Sequence, residues 1–288
     1  MRTNPATRPI VRARIARALR GLVLVRGWRS VVNRFVPAHS APFIIRDRDT
    51  VFAGDIGSFV DRQVYLFGGY EAAFIQRFIA AIPIDRRRTI LDIGANVGTH
   101  SLAFARVFKT VHAFEPNPML WDQLERNMGL NGLANVRLHK IGLADRDTEL
   151  TLHLIDKPNF GLGTFSTIEQ YDLPLRPVAK CTVRHGASYL AQIGAERVDA
   201  VKIDVQGFEP EVLRGLRDVL RRDRPILWCE IGGGTAAKIA TVADLSELIP
   251  FEFRSFQFIG ESKWLLNSCR LQEQRGKLPR GDFLVVPK

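Results

Sequence analysis

Thr89-Ile-Leu-Asp-Ile-Gly-Ala-Asn-Val-Gly-Thr-His100 decides how this 288-residue chain is read. Residues 89–93 are a short apolar run, which reads as a buried strand. Gly94 and Gly98 bracket a tight loop, and residues 97–108 resume with helical spacing. Glycine is needed where a backbone must pass close to a bound molecule, because a Cβ would stand in the way. A second apolar run, 110–114, ends in Glu115, 23 residues after Asp92. An acid at the end of the second strand is placed to accept hydrogen bonds from a ribose diol.

Two ligand classes compete for such a strand–loop–helix unit. A dinucleotide needs its pyrophosphate on the helix N-terminus, usually through a G-x-G-x-x-G loop. The loop here, Gly94-Ala-Asn-Val-Gly98, lacks that spacing. S-adenosylmethionine carries an amino acid end, a ribose and an adenine, with no phosphate. Asp92 would face its ammonium group, and Glu115 its ribose. Asn96 and the first amides of the following helix suit its carboxylate, a small anion at the positive end of a helix dipole. Gly94 and Gly98 give the loop its close approach. The sequence therefore favours the methyl donor over a nicotinamide dinucleotide.

Outward from this unit, strand and helix alternate. Strands are expected at 89–93, 110–114, 135–139, 198–203 and 226–230. Helices are expected at 97–108, 118–131, 187–193, 208–222 and 236–248. Such alternation predicts an α/β fold with a mostly parallel sheet and helices on both faces. Residues 146–183 form an insertion with strand-like pieces at 149–154 and 178–183, expected near the substrate. Residues 251–258 and 283–286 read as a C-terminal antiparallel hairpin. Residues 47–88 form a prelude in which Tyr70-Glu71 leads into a helix over 72–81, and Arg86-Arg87-Arg88 reads as a solvated turn.

In open α/β sheets the ligand lies beyond the carboxyl ends of the strands. After the third strand that rule selects Asp145, suited to the exocyclic amine of an adenine. The fourth strand ends in Val201-Lys-Ile-Asp-Val-Gln-Gly-Phe-Glu209, where Lys202, Asp204 and Glu209 converge, and the fifth ends at Cys229-Glu230. Acids at neighbouring strand ends beside a methyl donor form a candidate reaction centre. Methyl transfer to an alcohol requires positioning of the acceptor and a base for its proton. Asp204 and Glu230 rank first as that base, with Glu209 and His100 behind them. No metal-ligand spacing is present.

The net charge of +11 is unevenly distributed. Residues 1–46 hold ten arginines, no lysine and no acid, leaving +1 for residues 47–288. The division expected is a basic arm, 1–46, and a catalytic domain, 47–288. A nucleic-acid enzyme would spread its charge over the working face, so the neutral body argues against RNA or DNA as substrate. The arm reads as a basic amphipathic helix with Val11, Ile15, Leu19, Leu22 and Val25 along one stripe. It fits a cap packed on the domain, a peripheral membrane contact through residues 1–36, or a targeting segment. It is too short and too interrupted to cross a membrane. Three scattered cysteines, Cys181, Cys229 and Cys269, fit reduced thiols and a cytoplasmic setting.

Leu91-Asp-Ile-Gly-Ala-Asn-Val-Gly98, Phe114-Glu-Pro-Asn117, Asn127 with Leu130-Asn131, Asn159-Phe-Gly161, Val201 to Glu209 and Trp228-Cys-Glu230 together resemble the FkbM family of methyltransferases. The resemblance runs from about Asp61 to Val286. It implies a Rossmann-like methyltransferase fold and S-adenosylmethionine as donor, while the N-terminal helical extension is read from the residues and is not explained by the resemblance. The resemblance further implies O-methylation, with a small-molecule or glycan hydroxyl as acceptor. Two positions depart from the family pattern. Gln206 stands where the family usually has Glu, and Ala187 where it tends to have Asp. Those departures suggest a donor-binding scaffold without turnover as one alternative, and the basic arm suggests an RNA methyltransferase anchored by it as the other.

Overall fold

The computed structural model describes residues 13–15, 17, 36, 40–155, 163–165, 175–232, 235–236, 238–263 and 266–288. Strand β3 (Thr89–Ile93) is buried at every position and lies near the middle of an eight-stranded sheet. β4 (Thr110–Phe114) and then β5 (Val136–His139) pair parallel on one side of it. On the other side β10 (Ala200–Ile203) and β11 (Ile226–Ile231) do the same. Beyond β11 the sheet turns antiparallel through β14 (Gly281–Pro287), β12 (Phe253–Lys263) and β13 (Leu266–Gln274). The order β13-β12-β14-β11-β10-β3-β4-β5 reverses direction of travel at β3 and β10, so a crevice opens where those two strands end. This is the mostly parallel, Rossmann-like α/β architecture that the alternation predicts.

The apolar runs explain the central strands. Leu91, Ile93, Val201, Ile203, Leu227 and Cys229 are buried in one core cluster and Ile90, Ala200, Ile226 and Trp228 in another, as strands covered on both faces require. The helices depart more from expectation. The run 97–108 forms a helix only over α3 (Thr99–Phe104), entered from Gly98 in the left-handed region. α4 (Pro118–Leu130) and α5 (Gly186–Gln192) agree with expectation. The expected helix 208–222 is two, α6 (Glu209–Gly215) and α7 (Arg217–Asp223). A Cβ on Gly215 would lie 1.8 Å from the Ala144 carbonyl oxygen, so this crossing has room only for glycine. The last helix, α8 (Val242–Leu248), starts six residues later than expected, at a capping box between Thr241 and Asp244.

The C-terminal strands pair as expected, 253–257 running antiparallel to 283–287, and the chain between them adds a further strand. β12 folds first onto β13, and β14 then slots between β12 and β11. The insertion belongs to a second sheet of four strands, in the order β6 (Gly142–Ala144), β9 (Leu175–His185), β7 (Thr148–Ile155), β8 (Gly163–Thr164). The Asn159-Phe-Gly161 turn lies outside the described residues.

The prelude is a hairpin and two helices. β1 (Pro42–Asp47) pairs with β2 (Thr50–Asp55), so the hairpin spans both sides of the 46/47 division read from charge. α1 (Phe59–Phe67) and α2 (Ala72–Ala81) follow. Asn127 and Asn131 on α4 tie the hairpin to the domain. Asn127 Oδ1 accepts from the Ala53 amide at 2.8 Å, and its Nδ2 donates to the Val97 carbonyl at 3.0 Å. Asn131 pairs with both backbone groups of Val51. The arginine triplet is not simply solvated: Arg87 donates to the Ile79 and Ile82 carbonyls, and Arg86 to the Arg224 carbonyl.

Of the arm, Ala13 and Val36 are buried against Ile56, Tyr65 and Leu66. The Arg17 guanidinium lies 5.2 Å over the Tyr65 ring and donates to the Arg46 carbonyl. These contacts agree with a packed cap. Ile15 is exposed, and the other stripe positions lie outside the described residues. Among the described residues, no helix is long and apolar enough to cross a membrane.

Candidate active site

A cleft enclosing about 990 Å³, its open mouth included, lies over the carboxyl ends of β3, β4, β10 and β11. Gly94, Asn96, Thr99 and His100 come from the first loop and helix, and Glu115 from the end of β4. Lys202, Asp204, Gln206 and Glu230 come from β10, its following turn and β11. Phe165 and Leu152 reach in from the insertion sheet, and Val60, Tyr70 and Glu71 from the prelude.

The loop after β3 is held by its own backbone. Gly94 has φ +81°, and a Cβ there would lie 1.9 Å from the Asp204 carbonyl oxygen. Asn96 also takes a positive φ, and its amide donates to Glu115 Oε2 at 2.8 Å. The Asn117 amide donates to Glu115 Oε1 at the same distance. Burial pushes the Glu115 carboxyl up to about 7, against the pull of those two amides.

Lys202 is buried almost completely in the middle of the sheet. Its Nζ donates to the Gly94 carbonyl at 3.2 Å and to Asp204 Oδ2 at 3.3 Å, and lies 3.9 Å from Asp92 Oδ1. Burial alone would lower its pKa, but the Asp204, Asp92 and Glu71 carboxylates outweigh that and hold it charged. Asp92 is fully buried. Its Oδ2 accepts from Ser101 Oγ at 2.6 Å, while Oδ1 has no hydrogen-bond donor.

Gln206, also at positive φ, joins the two strand-end acids. Its Nε2 donates to Asp204 Oδ1 at 2.7 Å and to Glu230 Oε2 at 2.8 Å. Asp204 is kept on the ionised side despite burial, chiefly by Lys202. Glu230 is pushed upward, first by the Asp204 charge and then by burial, so it keeps its proton at neutral pH. The Gln206 carbonyl accepts from Thr164 Oγ1 at 2.7 Å, which pins β8 to this turn. Phe165 stands edge-on to Phe208, 5.6 Å between centroids.

Not every residue selected from the sequence lines the cleft. Gly94, Asn96, Glu115, Lys202, Asp204 and Glu230 do. Asp92 and Gly98 stand behind it as supports of the loop. Glu209 faces back onto the turn before its helix: its carboxylate accepts from the Val205 and Gly207 amides and from Thr235 Oγ1. Asp145 is not a lining residue either, and its carboxylate pairs with Arg146 at 3.2 Å. Sequence reading passed over Glu71. It sits at the N-cap of α2 with φ +53° and makes no capping bond, and its Oε2 meets His100 Nε2 at 3.1 Å. A glutamate rather than Ser, Thr, Asn or Asp at that cap is the one signal the sequence offered. Among the described residues no group of three or more His, Cys, Asp or Glu is arranged to hold a metal ion.

These residues fit the methyl donor. Glu115, with each carboxylate oxygen accepting a single backbone amide, retains acceptor capacity for a diol, and the positive-φ loop exposes backbone beside it. Residues 92–259, more than half of the chain, match the Methyltransferase FkbM domain. Over 173 residues the chain is 29% identical to Methyltransferase 1 of Beauveria bassiana, covering 52% of this chain and 66% of that protein. It is 26% identical over 152 residues to the 2-O-methyltransferase NoeI of Sinorhizobium fredii, covering 47% and 60%. It is also 26% identical over 150 residues to the hexuronic acid methyltransferase AglP of Haloferax volcanii, covering 52% and 58%. The chain thus spans about two thirds or less of the length of these relatives. A crystal structure of an FkbM methyltransferase from Methylobacillus flagellatus KT superposes with a TM-score of 0.41 at 14% identity, covering 96% of this chain and 59% of that one. The chain belongs to the FkbM family of methyltransferases, enzymes whose methyl donor is S-adenosylmethionine.

Proposed function

We propose that this protein methylates a hydroxyl oxygen on a sugar, glycan or natural product. The observation that carries the reading is the Asp204–Gln206–Glu230 bridge, set in the same cleft as Glu115. Two relatives named for methylation of a 2-O position and of a hexuronic acid support it. Glu115 would take the ribose, with Gly94 and Asn96 shaping the loop around the donor. Asp92 and Gly98 would support that loop from behind, and Asp145 would act from outside the lining.

When bound, the donor supplies an electrophilic methyl group. The chain's task is to hold the acceptor hydroxyl in line with it and to receive its proton. Asp204 is the ionised acid and the proposed base. Lys202 fixes its second oxygen and balances its charge. Glu230, holding a proton, orients the hydroxyl beside it. Glu209 would act only indirectly, by fixing the turn that carries Gln206. Incubation with methyl-labelled donor and a panel of sugars and polyols tests the reading. Label should enter an alkali-stable ether, and Asp204→Asn should lose it while still binding S-adenosylhomocysteine. Full turnover in folded Asp204→Asn would remove Asp204 as the base.

A further inference from the structure

We infer that the acceptor is a neutral or amine-bearing polyol, carrying no carboxylate or phosphate near the methylated hydroxyl. The inference deepens the hydroxyl-methylation reading above and rests on it. The described residues lining the cleft bring four carboxyl groups to it: Glu71, Glu115, Asp204 and Glu230. Lys202 is the one lysine or arginine among those described lining residues, and its ammonium is already committed to the Gly94 carbonyl and Asp204. His100, the remaining basic group in that lining, has its Nε2 against Glu71. An anionic acceptor would therefore meet carboxyl groups with no uncommitted lysine or arginine among the described lining residues to receive it. Hydroxyl and ammonium groups, by contrast, are hydrogen-bond donors, and carboxylates are pure acceptors.

The other half of the recognition is apolar. Val60, Leu152, Phe165 and Phe208 line the same cleft. Together they offer a surface for the C–H face of a sugar ring, while Glu71, Asp204 and Glu230, the carboxyl groups not given to the donor's ribose, take its hydroxyls. A ring bearing an amino group would gain a charge-assisted bond to Glu71 or Asp204. A ring bearing a carboxylate would lose one and add repulsion. This acceptor class differs from the hexuronic acid for which the Haloferax volcanii relative is named.

The test uses the full chain saturated with S-adenosylhomocysteine, whose binding is measured first by calorimetry. Saturation-transfer NMR then compares methyl glycosides of a neutral hexose, the matching 2-amino sugar and the matching uronic acid, in both gluco and galacto configurations. The neutral and amino sugars should bind at least about tenfold more tightly than the uronic acid. Glu71→Gln should narrow the amino-sugar advantage over the neutral sugar. A uronic acid binding as well as the neutral sugar would overturn the inference, and so would no sugar binding to the loaded protein. Failure of S-adenosylhomocysteine itself to bind would instead overturn the underlying methyltransferase reading.

Discussion

Gln206 Nε2 donates to Glu230 Oε2 at 2.8 Å, and the same nitrogen reaches Asp204 Oδ1 at 2.7 Å. Two acids on neighbouring strands are thereby joined through one neutral carboxamide. Both N–H groups of that amide point at carboxyl oxygens, which lowers the repulsion between them. The family's usual acid at this position would have to be protonated to make even one of these bonds.

Gln206→Glu is therefore expected to lose stability with rising pH relative to the natural chain. Below neutral pH the new carboxyl holds a proton and replaces one bond. As pH rises it ionises beside Asp204 and the cluster repels itself. Thermal melts from pH 6 to 9 should show the variant losing stability steadily relative to the natural chain. Parallel curves would contradict this account of the bridge.

Lys202→Met should destabilise the fold by about 3–5 kcal/mol, since it strips the buried Asp92 and Asp204 carboxylates of their cation. Urea unfolding would measure it. A loss under about 1 kcal/mol would mean that the two acids simply take up protons in its absence.

Gly94→Ala is expected to cost at least about 2 kcal/mol and to abolish donor binding. The added Cβ collides with the backbone at Asp204, and the φ of +81° is strained for any side chain. Gly132→Ala tests the strain alone, because its φ is +61° with no atom within 4 Å of a Cβ. It should cost less and leave binding intact.

The His112–His139 pair gives a stability signature in acid. His112 Nδ1 lies 2.9 Å from His139 Nε2, and burial lowers both to about 4. A histidine with a depressed pKa contributes stability that is complete above its unfolded value, near 6.5, and is lost as pH falls toward 4. About 2 kcal/mol per histidine should disappear between pH 6.5 and 4.5. His112→Phe should flatten that slope in denaturant titrations at each pH.

The central strands were legible because each is an apolar run ending in an acid or a glycine. Asp92, Glu115, Asp204 and Glu230 were legible for the same reason, since the strand-end rule needs only register. The hairpin β1–β2 was not, because Phe43 to Arg46 alternates weakly and its partners, Asn127 and Asn131, lie some 80 residues away. β13 escaped because it is a largely polar strand at the sheet edge, with Arg270 and Gln272 exposed. The split at Gly215 depends on the approach of Ala144, which no helical periodicity reports. Glu71 was passed over because its role arises from a left-handed cap, and sequence spacing marks such caps only where glycine or asparagine fills them.

Isothermal titration of S-adenosylmethionine into the natural chain, Glu115→Ala and Gly94→Ala tests the central claim most directly. The account expects binding on the order of micromolar by the natural chain, lost in both variants, while Asp204→Asn still binds. Affinity should also rise from pH 6 to 8, as Glu115 ionises near 7 and becomes a stronger acceptor for the ribose. A folded natural chain that takes up no donor, or Glu115→Ala binding as tightly as the natural chain, would contradict it.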